Sequence, residues 1–263
     1  MINEKKTNVY KLITIVLLLS SCSQISVWSQ FFVPPFRDGE KLEYLLHYGP
    51  INGGMAKLTV RLSTIDKQPV FHARAEARTI GIADKIYRVK DIYESYIDVS
   101  SGLPLKAVRN ISEGRYTYYD ENFFNRDSNT VSSMKVGTMK VPQGIIDMVS
   151  AIYLLRNYNM DNLQVGDTIK LVTYFANEIY PLNLRYKGKE IIRTRFGKFR
   201  CKVFAPVTEV GRVFKTQDDM LMWISDDKNF LPLRIDFDMW VGSMRVDLVA
   251  YENLRYELKP LEK

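Results

Sequence analysis

The side chains best suited to chemistry are few: His47, His72, Cys22 and Cys201 in a chain of 263 residues. Both histidines fall on the polar side of alternating segments, His47 near Lys41 and Glu43, His72 beside Arg74 and Glu76. A zinc site needs three or four His, Cys or carboxylate ligands at set spacings, and no such group occurs. Cys201 with His72 would make a thiol nucleophile and its base. Cys201, however, alternates with Phe199 and Val203 on an apolar face, where cysteine packs as an inert small hydrophobe. The pairs Asp218-Asp219 and Asp226-Asp227 lack the alternating oxygens and closing glutamate of a calcium loop. Asp226 to Asn229 reads instead as a hairpin tip, where Asp and Asn bond to their own backbone. No Gly-rich phosphate loop or nucleophile elbow is present either. The expectation is a protein with no catalytic residue, no metal and no cofactor.

What the chain has in quantity is binding surface. Tyrosine (16), phenylalanine (13) and methionine (10) are abundant. Tyr119, Met222, Trp223 and Trp240 are the candidates for a ligand groove, because large side chains on both faces of a sheet leave one set free of the core. Methionine suits adaptable contact with acyl chains. Arg193, Arg195 and Arg200 alternate on two strands and form the candidate face for an anionic partner. The remaining positive charge is spread along the chain, so nucleic acid is not an expected partner.

The first residues look like an address. Lys5, Lys6 and Lys11 precede the apolar run of residues 12–19, the layout of an export signal too short to span a bilayer as a helix. Two cleavage sites follow. Leu19-Ser20-Ser21-Cys22 resembles the bacterial lipobox, in which Cys22 becomes an acylated N-terminus; Val27-Trp28-Ser29 before Gln30 has the small-residue form of the ordinary signal peptidase. The signal is then residues 1–21, or 1–29, with 22–35 as linker. Loss of Glu4, Lys5, Lys6 and Lys11 takes 37 basic and 30 acidic residues to 34 and 29, a net charge of +5. Either cut leaves Cys201 without a disulfide partner, so residues 36–258 must be held by a hydrophobic core as a single β-rich domain.

The elements follow from periodicity. Leu58, Val60 and Leu62 alternate with Lys57, Thr59 and Arg61, and Phe71, Ala73, Ala75 and Ala77 with His72, Arg74, Glu76 and Arg78. Period-two patterns of this kind predict antiparallel strands with one buried face. The small Ala73, Ala75 and Ala77 predict that something bulky packs on them. Turn residues recur at Gly49-Pro50, Gly53-Gly54, Gly102, Gly114, Gly188, Gly197, Gly211 and Gly242, the spacing of a meander. Only residues 144–158 break the rhythm: Ile145, Met148, Val149, Ile152 and Leu155 stand at helical spacing, predicting an amphipathic helix on the sheet.

The halves of the chain also correspond. Leu103-Pro104-Leu105 and Gly114 match Leu231-Pro232-Leu233 and Gly242 at an offset of 128, as does Phe71 with Phe199. Gly39-Glu40 matches Gly166-Asp167, and Tyr87-Arg88 matches Phe214-Lys215, at 127. Duplicated β-units over about 39–126 and 166–252, joined by the helix, would produce this; so would the general likeness of strand-turn sequences. The expected fold is mainly β: a curved antiparallel meander, half-barrel or open barrel, with one amphipathic helix against it.

These landmarks together resemble the domain-of-unknown-function family 3108 of bacterial envelope proteins. The resemblance is carried by Gly39-Glu40-Lys41-Leu42, the hairpin Gly49 to Gly54, Asp91 to Asp98 before Leu103-Pro104-Leu105, Gly197 to Cys201, and Trp223 to Asp226 before Leu231-Pro232-Leu233. It spans about Phe36 to Tyr251. It implies a mainly β fold and an address in the Gram-negative envelope, periplasmic and lipid-anchored if Cys22 is acylated, but no established activity. At the level of fold, a curved sheet with a helix across it is similar to the lipoprotein localisation carriers, whose incomplete barrel holds acyl chains. The expected function is binding of an apolar or amphipathic ligand in the concave sheet. The alternatives are an assembly module for envelope protein or cell-wall polymer, and an envelope hydrolase.

Overall fold

The computed structural model describes residues 33–207, 219–239 and 242–261, and these form one compact unit. Eight strands come first: β1 Lys41–Tyr48, β2 Ile51–Ile65, β3 Gln68–Thr79, β4 Lys90–Asp98, β5 Pro104–Glu113, β6 Tyr116–Asn125, β7 Thr130–Ser133 and β8 Gly137–Lys140. A short helix, α1 Gly81–Ile86, lies between β3 and β4. Helix α2, Met148–Arg156, separates these from β9 Thr168–Phe175, β10 Glu178–Thr194, β11 Gly197–Pro206, β12 Met220–Ser225, β13 Pro232–Met239 and β14 Gly242–Glu252. The strands make a single 14-stranded sheet in the order 8-7-6-5-4-3-2-1-14-13-12-11-10-9. Each neighbouring pair is antiparallel, and β1 pairing with β14 joins the two meanders. With 62% of the described residues in strands, the mainly-β expectation holds.

The repeat landmarks occupy equivalent places. Leu103-Pro104 and Leu231-Pro232 open β5 and β13, Gly114 and Gly242 lie between β5 and β6 and at the start of β14, and Phe71 and Phe199 sit on β3 and β11. Strands β1–β6 therefore correspond in order to β9–β14, while β7 and β8 have no counterpart. Phe214-Lys215 lies outside the described residues.

The sheet curls around α2, which packs against β3, β4 and β9. Ile152 joins the main apolar cluster with Leu42, Tyr44, Leu58 and Leu248, to which Ala56 of β2 and, of the three β3 alanines, Ala75 also pack. Leu155 enters a second cluster with Ile169, Leu184, Phe204 and Ile224. Each aliphatic side chain buried in this way contributes roughly 1.5–3 kcal/mol. The concave side is thus filled by α2.

The helix is shorter than the 144–158 read from periodicity. Ile145 has helical phase but belongs, with Ile146, to an extended segment, in which Ile146 forms a parallel bridge with Thr173 on the outer edge of β9. Asp147 then ends that segment and caps α2: its carboxylate accepts from Val149 N (2.8 Å) and Ser150 N (3.0 Å), and Ser150 Oγ accepts from Asp147 N. Ser95 Oγ on β4 also donates to Asp147 at 2.6 Å, fixing the start of the helix to the sheet. Burial raises the Asp147 carboxyl above its ordinary range despite these donors.

Candidate functional site

The C-terminal end of α2 is where four separate parts of the chain converge on one side chain. Arg156, in the last turn, is 1% exposed and so is Glu40. Glu40 follows Gly39, whose φ of +79° makes the tight turn into β1, and its carbonyl accepts from Val60 N at 3.1 Å. The guanidinium of Arg156 donates to both carboxylate oxygens of Glu40, at 2.5 and 3.0 Å, in the bidentate geometry that only arginine offers. Its Nε donates to Asn229 O in the β12–β13 turn at 3.1 Å, and Asn229 Oδ1 accepts from Tyr256 N of the C-terminal tail. The guanidinium carbon stands 5.6 Å from the Phe36 ring and 5.8 Å from Tyr153. Burial holds both the Tyr44 and Tyr153 phenols above their ordinary range, so they stay protonated. Tyr44 OH, Asn229 Nδ2 and Asp227 Oδ2 are buried there without a hydrogen-bond partner.

Above this cluster lies a cleft of about 310 Å³, bounded by Val33 and Pro35, by Arg156 to Asp161, and by Lys228, Phe230 and Tyr256. Its apolar wall is Val33, Pro35, Met160 and Phe230; its polar wall carries the exposed ammonium of Lys228, 5.7 Å over the Tyr256 ring. Behind Phe230, Lys202 is buried 3.0 Å from Asp226 and 3.4 Å from Asp161. Burial alone would raise the Asp226 carboxyl, but Lys189 and Lys202 beside it hold it below the ordinary range. The cleft thus offers an apolar wall, a rim cation and a floor of buried ion pairs, at the lower end of volumes that take a small ligand.

The residues singled out from sequence are placed differently. Tyr119 is exposed on the outer face of β6, donating to Glu121 at 2.5 Å. Met222 and Trp223 are consecutive on β12 and so face opposite sides of the sheet; Trp223 is buried and donates to Glu190 at 2.8 Å. These three do not meet, and Trp240, like Cys22, lies outside the described residues. Arg193 and Arg200 do share an exposed face of the β10–β11 hairpin with Lys198, whereas Arg195 turns to β14 and donates to Val249 O at 2.9 Å. Cys201 is fully buried, and burial pushes its thiol up to about 12. His72 stacks on Tyr96 at 4.4 Å and His47 bonds to Asp247 at 3.2 Å, far apart on the sheet. Among the described residues no group of three or more His, Cys, Asp or Glu could hold a metal ion. The Glu40–Arg156 pair escaped the sequence reading. Gly39-Glu40 is a landmark of the sequence, but nothing in its pattern joins it to Arg156, 116 residues further on.

Comparison with known proteins adds a family and a fold. The sequence model of the family described as protein of unknown function (DUF3108) matches residues 43–249. No curated protein matches the chain. Among solved structures, a β-barrel-like protein of the domain of unknown function DUF1849 from Brucella abortus is similar, with a TM-score of 0.52 at 11% identity, over 82% of this chain and 98% of that one. A hypothetical protein from Chlamydia trachomatis matches more loosely, at a TM-score of 0.34 and 9% identity, over 86% of this chain and 93% of that one.

Proposed function

Because the chain belongs to the DUF3108 family, whose description assigns no activity, we propose its function from the molecule's own clefts: it binds an amphipathic ligand without catalysis, as an exported protein of the cell envelope. The observation that carries this reading is the cleft at the end of α2, which has an apolar wall and a cationic rim side by side. Its size suits the end of an acyl chain with its anionic head beside Lys228, rather than a whole lipid. The export-like start of the sequence supports the address, and acylation of Cys22 would tether the protein to a membrane.

Fluorescence titration with a dansyl-labelled fatty acid tests the proposal. Saturable binding is expected, weakened about tenfold by Lys228→Glu and by Phe230→Ser. An absence of saturable binding, together with no co-purifying lipid in native mass spectrometry, overturns it. A second reading, contact with an anionic cell-wall polymer, is favoured by the shared exposed face of Arg193, Lys198 and Arg200. It predicts salt-sensitive pull-down that Arg193→Gln/Arg200→Gln abolishes.

A further inference from the structure

One end of the curled sheet presents exposed apolar side chains that the fold itself does not use. Helix α1 has no buried residue and no side-chain N-cap. Ile82 is 67% and Ile86 80% exposed, and at one turn apart they stand on the same helical face. Scattered exposed hydrophobes are normal, but a six-residue helix that shows two isoleucines to solvent and buries nothing gains no stability from them. The helix is nevertheless held firmly. Ile80 N donates to Gly53 O (3.0 Å), Gly114 N to Arg88 O (2.7 Å) and Tyr87 OH to Glu113 O (3.2 Å). These bonds align α1 with the tips of the β1–β2 and β5–β6 hairpins, where Ile51, Tyr87 and Tyr116 are also exposed.

The same rim is basic. A cleft of about 330 Å³ beside α1 is lined by Arg78, Arg88 and Lys90, with Asp84 as its one carboxylate. Asp84 accepts from Arg88 at 3.1 Å and from Thr79 at 3.0 Å, leaving Arg78 and Lys90 as the excess charge. Arg78 and Lys90 are direct cross-strand partners on β3 and β4. Like charges directly opposite one another destabilise a sheet, and an anion between them would reverse the sign of that interaction. Lys85 and Arg115 add positive charge around the apolar tips, where Glu113 and Asp91 stand together as the opposing carboxylates. With Arg78, Arg88, Lys90 and Asp84 counted, five cations face three carboxylates.

We propose that this rim docks on an anionic lipid bilayer, with Ile82 and Ile86 entering the acyl boundary while Arg78 and Lys90 hold a lipid phosphate. The arrangement is that of an interfacial membrane contact: an apolar wedge of limited depth ringed by cations. It is independent of the cleft at the end of α2, which none of these residues lines.

Co-sedimentation of the full chain with phosphatidylcholine vesicles, with and without about 30% phosphatidylglycerol, tests it. Binding is expected on the anionic vesicles and should fall steeply between about 0.1 and 0.5 M salt. Any contribution of residues 1–32 is common to all variants, so the readout is the difference from wild type. Ile82→Ser/Ile86→Ser should weaken binding about tenfold or more, and Arg78→Gln and Lys90→Gln about fivefold each. These side chains are exposed or edge-placed, so folding should survive, which circular dichroism checks. Ile86→Trp should add emission quenched by brominated lipid beyond that of the tryptophans wild type already has, Trp28, Trp223 and Trp240. Equal binding to both vesicle types, unchanged binding of the isoleucine variant, or no added quenching in Ile86→Trp would overturn the proposal. So would a change in oligomeric state by light scattering in the isoleucine variant, which would make a second copy the occupant. Retained fatty-acid binding in the rim variants, with loss in Lys228→Glu, separates the two sites.

Discussion

Replacing Arg156 by methionine should be among the most damaging single changes in the protein, and replacing Glu40 at the same time should recover much of the loss. With both groups 1% exposed, Arg156→Met strands a carboxylate that has lost both donors, at a cost of about 3–5 kcal/mol. It also leaves Asn229 O without the donor now 3.1 Å away, adding roughly 1–3 kcal/mol. Against a total stability of about 5–15 kcal/mol, the variant should be barely folded. Glu40→Leu leaves a buried guanidinium instead and should cost about 3–5 kcal/mol. The double variant buries no charge, so only the Asn229 carbonyl remains unmet and the cost should drop to roughly 1–3 kcal/mol. Urea unfolding, followed by circular dichroism and by emission of the buried Trp223, measures all four corners of the cycle. Should Arg156→Met be too unstable to purify, the double variant still decides the matter through recovery of soluble protein. Single costs below about 1 kcal/mol that simply add in the double variant would refute the reasoning, because they would mean that water reaches the pair.

Three further outcomes follow from individual sites. Cys201, its thiol raised to about 12 by burial, should resist Ellman's reagent at pH 8 in the folded protein and react fully in urea. At Asp98, burial is outweighed by donors from Ser100, Ser101 and Gln68, which bring the carboxyl down to about 2. A folded value below the unfolded one of about 3.9 gives stability that is complete above pH 4 and lost towards pH 2, roughly 2 kcal/mol in all. Asp98→Ala should flatten that part of the urea-stability profile; Asp147, raised by burial, contributes with the opposite sign and is unaffected by the change. Gly114→Ala places a Cβ at φ +59° and 2.8 Å from the Tyr87 ring, so it should cost about 1–2 kcal/mol and move Tyr87, visible by NMR of that ring.

Strand order and class were legible because alternation and turn chemistry are local. Leu58 and Val60 point inward as their pattern demands. Leu62, next in the same pattern, is exposed because β2 runs on past the start of β1, whose pairing begins at Lys41 and Thr59, and Leu62 N bonds to Asp38 there instead. Ile145 shows the same limit at the helix: its phase is helical, but the segment it shares with Ile146 is claimed by the edge of β9 instead. The groove residues failed to converge for a related reason. Met222 and Trp223 are adjacent in sequence, and adjacency on a strand means opposite faces. Glu40 and Arg156, 116 residues apart, meet only because the sheet curls, and no local pattern reports curvature.

The correspondence of β1–β6 with β9–β14 also explains where the barrel stays open. β14 pairs with β1, and the equivalent closure would pair β6 with β9. β6 instead continues into β7, and the outer edge of β9 is taken at Thr173 by Ile146. Side chains bridge the gap: Phe124 meets Tyr174 edge-on at 6.3 Å, Asn177 Nδ2 donates to Tyr118 OH at 3.0 Å, and Arg109 lies 4.9 Å from the Phe175 ring. Open sheet edges invite pairing with other chains, and this fold blunts both of its own. The β9 edge carries the segment that leads into α2, and the other edge ends in β7 and β8, each only four residues long. The segment between β6 and β9 therefore does three things at once. It prevents closure, caps the exposed edge, and delivers α2 into the concave side, so that Arg156 arrives beneath the cleft.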